Sequence, residues 1–116
     1  MTKVTFFKRD GVYYGFEEQG HTGYGEAGED ILCSALSAMT MLIINTVEIS
    51  YASRVDYKID EETTDIRLTI PAALPENEKD EKKRFAISGL LQGYFFQLND
   101  LVEEYYDFLS VDEIED

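Results

Sequence analysis

The sequence predicts an α+β fold: a ββαββα two-layer sandwich, with a four-stranded antiparallel sheet and two helices packed on one face. Three observations predict it. Asp10-Gly11, a strong hairpin signal, sits between two short apolar-rich runs. Two long segments carry apolar residues at helical spacing. No linker divides the 116 residues, a length that suits a single domain, 1–116.

Each element follows in order. Val4–Arg9 reads as a strand, and Val12–Glu17 as its return. The stretch from Gly20 to Gly28 holds four glycines in nine residues and reads as a loop. A helix is expected from Glu29 or Asp30, where an acidic first turn suits the positive end of the dipole. Ile31, Leu32, Leu36, Met39, Leu42 and Ile43 make it apolar around much of its circumference, and it should end near Asn45. Val47, Ile49, Tyr51, Val55, Tyr57 and Ile59 alternate, which is strand-like. Asp60-Glu61-Glu62 is a polar turn, and Thr64–Ile70 a fourth strand. Glu76–Arg84 leads into a second helix that reaches Tyr105 or beyond. From about 110 onward an acidic tail is expected, as a short extra helix or a frayed end. Hairpins require antiparallel pairing, and two helices then cover one face of the sheet.

Composition narrows the function. Hydrophobic residues make up 44% and charged residues 29%, ordinary for a soluble fold. The net charge of −14 is not ordinary. It disfavours nucleic acid and anionic membranes and favours a basic partner. Residues 1–25 balance to zero, whereas residues 99–116 carry eight acids and no base. Solubility and electrostatic steering both account for such a tail. A single cysteine excludes an intrachain disulfide. No apolar signal core follows the N-terminus, and the apolar run Ile31–Ile44 is shorter than the roughly 20 residues a bilayer demands. A cytoplasmic protein is expected.

The stretch GHTGYGEAGEDILCSALS, Gly20 to Ser37, carries the chemistry. It holds the chain's one histidine, His21, and its one cysteine, Cys33, twelve residues apart across the glycine-rich loop. Cys33 is expected in the first turn of the helix. There, unpaired N–H groups and the dipole favour a thiolate, and a neighbouring imidazole takes its proton. The same N–H groups suit an oxyanion. Asp30, Cys33 and Ser37 lie at i, i+3 and i+7, on one helical face. Asp30 there suits the orienting of His21, and Ser37 a hydrogen bond to substrate backbone or thiol. Plainer readings stand beside these: a lone cysteine on an apolar helix is most often packing, and Asp30 serves equally as an N-terminal helix residue. One His and one Cys fall short of a zinc set, so no metal and no cofactor is implied.

This stretch resembles the ribosomal-processing cysteine protease family (Prp). The shared pattern is Gly20-His21, the loop Thr22–Ala27, Gly28-Glu29-Asp30, two residues, then Cys33, with Ser37 beyond. Thr22 and Gly25 stand where the family often has alanine, and neither touches the chemistry. The opening hairpin and the element order are similar too, so the likeness covers about 3–105. It implies a cysteine endopeptidase with Cys33 as nucleophile and His21 as base. It implies a substrate: the N-terminal extension of the large-subunit ribosomal protein numbered twenty-seven, cut after a Phe-Phe pair and before a small residue. It also implies a homodimer. An apolar cleft for Phe-Phe draws on Tyr14, Phe16, Tyr24 and Tyr57 as candidate lining, and the acidic surface suits a basic ribosomal protein precursor. The rival readings are a non-catalytic acidic binding module for a basic ribosomal protein, and a redox sensor using Cys33.

Overall fold

The computed structural model describes residues 1–20, 27–63 and 65–116, with only the backbone described at 27–30. Among these, the elements run β1 (Thr2–Arg9), β2 (Val12–Gln19), α1 (Ala27–Asn45), β3 (Asp56–Ile59), β4 (Ile66–Thr69), α2 (Glu81–Tyr105) and β5 (Leu109–Glu115). They build a five-stranded sheet in the order β3-β4-β2-β1-β5. Three strand pairs are antiparallel, and β1–β5 is parallel, so the sheet is mixed. The α+β class with two helices stands. The purely antiparallel four-stranded sheet and the ββαββα order are corrected by the additional strand.

The first hairpin forms as its turn dictates. Asp10 and Gly11 both have positive φ (50° and 80°), the geometry of a two-residue type I′ turn. Across the hairpin, Val4 pairs with Glu18 and Phe6 with Phe16, which puts these four on one face. That face meets the helices. Val4, Phe6, Phe16 and Leu68 share one buried cluster with Leu32 and Leu36 of α1 and Ile87, Leu91 and Leu98 of α2. Asp80 caps α2, its carboxylate accepting from the N–H groups of Lys82 and Lys83.

The segment after Leu109 is neither helix nor frayed tail but strand β5. Its acids hid its period of two. They find partners instead of solvent: Arg9 donates to Asp116 (3.1 Å), Tyr14 to Asp116 (2.5 Å), Tyr13 to Glu113, and the Gly11 N–H to Glu115 (3.2 Å). Leu109 is buried, and the strand covers the edge that β1 would otherwise expose. Part of the acidic tail is therefore structural.

The hydrogen bonds from Arg9 and then Tyr14 hold the Asp116 carboxyl below its usual range. A depressed folded pKa contributes stability above the unfolded value of about 3.9, and that stability is lost as pH falls through the folded value. The thermal midpoint should drop as pH is lowered from about 5 toward 2, and less steeply in Asp116→Asn. Circular dichroism melts check this, and identical slopes would show that the pairing at Asp116 contributes nothing.

The expected strand across Val47–Ile59 is confined to β3. Thr46–Ser50 continues α1 as a π-helical turn, closed by Tyr51 N–H to Thr46 O. Ile43, Val47 and Tyr51 are spaced by four, so the helix extends along its own apolar row before Ala52 turns the chain at φ 48°. The helical run Ile31–Ser50 is thus long and apolar enough to span a bilayer by length and composition. Its Leu32, Leu36, Ile43 and Val47 are buried against the rest of the fold, while Ile31, Met41, Leu42 and Ile49 are exposed.

Candidate active site

Cys33 lies on α1 and is half-buried. The helix begins at Ala27, so Cys33 is its seventh residue rather than a first-turn residue. This corrects the expected position. The N–H groups without helical partners belong to about the first four residues, and the dipole fades beyond the first turn. Activation of the thiol therefore falls on a neighbouring base more than on the helix end.

The predicted site residues divide into groups. Ser37 is exposed one turn after Cys33, on the same face. Asp30 is in α1, and its side chain is outside the described residues, as are His21 and Tyr24. Gly20 ends the described part of the first hairpin. Its φ is +88°, and a Cβ there would meet Met1 O at 2.3 Å, so the chain needs glycine at this point. The Gly20 N–H donates to Asp65 (3.1 Å), which fixes where the segment carrying His21 departs.

Among the described residues, the aromatic candidates Tyr14, Phe16 and Tyr57 do not form one cleft. Phe16 is wholly buried, its ring 5.5 Å from Phe6 and 5.0 Å from Tyr94, so it is core and not lining. Tyr14 packs beside Phe7 (6.1 Å) and under Arg9, where its hydroxyl is engaged by Asp116. Phe7 follows Phe6 in β1, so Tyr14 lies on the opposite face from Phe16. A register shift at Phe7/Lys8 leaves Tyr14 as the extra residue of the bulge. Tyr57 is 51% exposed on edge strand β3, with Ile59 beside it at 50%. Both offer apolar surface on the helix side of the sheet, since Tyr57 pairs with Leu68 and Ile59 with Ile66.

One polar cluster escaped the sequence reading. Glu18 is 2% exposed. Its Oε1 accepts from Thr40 of α1 (2.9 Å) and Tyr94 of α2 (2.5 Å), and the two hydroxyls stand 3.5 Å apart. Burial, and then the Glu18 carboxylate, push the Tyr94 hydroxyl far above the usual tyrosine range, so it remains a donor. The available signal was parity: Glu18 shares its strand face with Phe16.

The described residues thus present one half-buried thiol on α1, with exposed Ser37 a turn further on. The chain belongs to the cysteine protease Prp family, whose model matches residues 1–110, and it is a cysteine-type protease. Among solved structures, SMU.848 from Streptococcus mutans is 25% identical, with a TM-score of 0.81 over 100% of this chain and 99% of that one. The essential ribosomal processing protease Prp from S. aureus, in complex with a substrate peptide, is 20% identical with a TM-score of 0.79, covering 98% of this chain and 100% of that one. The same S. aureus protein with a covalently linked product peptide gives 21% and 0.76 over the same shares. At these identities the S. aureus likenesses speak for the fold. No curated protein matches the sequence.

Proposed function

We propose that this chain is the endopeptidase that removes the N-terminal extension of the large-subunit ribosomal protein numbered twenty-seven, in support of ribosome assembly. It cuts after a Phe-Phe pair and before a small residue. Membership of the Prp family carries the reading, and the single cysteine of the chain, half-buried on α1, supplies the nucleophile. The Cys33 thiolate attacks the carbonyl carbon of the second phenylalanine. His21, having taken the thiol proton, gives it to the leaving amine. His21 then draws a proton from water, which attacks the thioester and frees Cys33. Ser37, exposed on the Cys33 face, is assigned a hydrogen bond to substrate backbone or to the thiol. Asp30, one turn before Cys33, is assigned the orienting of His21. Tyr57 and Ile59 supply apolar surface for the phenylalanines.

The net charge of −14 supports a basic substrate, and the proposal sets the reaction in the cytoplasm. Incubation with a basic peptide containing Phe-Phe-Ala, read by mass spectrometry, should show one cut after the second phenylalanine. An uncut peptide with the folded protein bound to it would instead favour the acidic binding module.

The second part of the proposal is a homodimer. Met39 and Leu42 of α1 and Gly89, Leu90 and Gly93 of α2 line an apolar groove of about 300 Å³. Leu42 is exposed there, and Met41 and Phe96 stand exposed on the same two helices. Such a surface favours burial against a second copy. Sedimentation equilibrium should give twice the 13.3 kDa chain mass, and Leu42→Glu should give the monomer. A monomeric wild-type protein at all concentrations would remove this part.

A further inference from the structure

We infer that Glu18 is a positioning residue for the proposed Cys33–His21 chemistry, tethering the end of β2 to both helices through Thr40 and Tyr94. The inference rests on the dyad reading above.

The setting of Glu18 is unusual. Its cross-strand neighbours are Val4 on one side and Ile66 on the other, and the row continues to Val111 and Ile59. A carboxylate therefore stands in an otherwise apolar row across the whole sheet. Burying it costs free energy that an apolar residue of similar size would avoid. The cost is offset by two hydroxyl donors that are themselves 4% exposed, Thr40 and Tyr94. Satisfied buried networks of this kind specify one arrangement of the elements they join.

The elements joined here include α1, which carries Cys33, and β2, whose last residue precedes His21 by two positions. Glu18 is three residues before His21 in the sequence. Thr40 is seven residues after Cys33 on α1. At 100° per residue the two lie about 20° apart around the axis and about 10 Å apart along it, on one face. Tyr94 adds α2, and its ring packs 5.7 Å from Phe6 and 5.0 Å from Phe16. Gly20, between Glu18 and His21, is fixed independently by Asp65 and by its close approach to Met1. The departure point of the histidine segment is thus registered against the helix that carries the thiol.

The test is steady-state cleavage of the Phe-Phe-Ala peptide by Glu18→Met, Glu18→Gln and Tyr94→Phe, with folding checked by circular dichroism. Displacing reacting groups by about 1 Å costs on the order of 100-fold. Glu18→Met should accordingly lower kcat by about 10- to 100-fold with KM little changed. Glu18→Gln keeps the Oε1 acceptor and should restore most of the rate. Tyr94→Phe should lower kcat in the same sense, and its effect should be largely absent in the Glu18→Met background. Should Glu18→Met fail to fold, Tyr94→Phe carries the test alone. Wild-type kcat in the folded variants would overturn the inference. So would a Glu18→Gln enzyme as slow as Glu18→Met, since the tether is the pair of hydrogen bonds. Cleavage that survives in Cys33→Ala would sink the dyad reading itself, an outcome separate from an inactive Cys33→Ala beside a fully active Glu18→Met.

Discussion

Cys33→Ala should lower kcat/KM by about four orders of magnitude, and His21→Ala by a similar factor. Both variants should fold. Cys33 is only half-buried, and its replacement removes a single sulfur atom from the rim of the core. The double variant should be about as slow as either single one, because thiolate and imidazole act as a unit. The correction at the helix start sharpens this expectation. With Cys33 seven residues into α1, the dipole gives little help, so activation of the thiol rests on His21. His21→Ala should therefore also slow alkylation of Cys33 at neutral pH. Losses that multiply in the double variant would argue that the two residues act independently.

Phe6→Ala should cost about 3–5 kcal/mol of folding stability, a large share of the roughly 5–15 kcal/mol a domain possesses. Phe6 is wholly buried on the sheet's inner face. Its ring lies 5.8 Å from Tyr13, 5.5 Å from Phe16, 5.7 Å from Tyr94 and 5.2 Å from Phe95. Truncation opens a cavity between β1, β2 and α2 and strips Tyr94 of a packing partner. The same tyrosine holds Glu18, so a fall in stability should come with a fall in kcat. Urea unfolding measures the first effect. A loss below about 1 kcal/mol would mean that the cluster relaxes to fill the space.

Much of this architecture was legible because period and turn chemistry agreed. Asp10-Gly11 marked the hairpin, and the helices' apolar rows supplied buried Leu32, Leu36, Ile43, Leu91 and Leu98, although Ile31, Leu42 and Phe85 stand exposed. Thr46–Ser50 was misread because Val47, Ile49 and Tyr51 alternate while Ile43, Val47 and Tyr51 also sit four apart. Continuity with α1 decided in favour of the helix. Strand β5 was missed because its acids looked solvated, whereas Arg9, Tyr13 and Tyr14 were waiting for them across the sheet. At the site, the His21–Cys33 pattern is a local property of one stretch and could be read directly. Cleft lining is not local: Tyr14 and Phe16 are two residues apart, yet a bulge sends them to opposite faces. Glu18 was counted only as charge, because its burial depends on hydroxyls supplied from residues 40 and 94.

The most direct test of the account is to alkylate the protein with iodoacetamide at neutral pH and follow residual cleavage of the Phe-Phe-Ala peptide. With one cysteine in the chain, a single carbamidomethyl mass shift reports Cys33 alone. The account predicts fast labelling, with activity falling in step and reaching zero at one label per chain. Full cleavage activity in stoichiometrically labelled protein would contradict it.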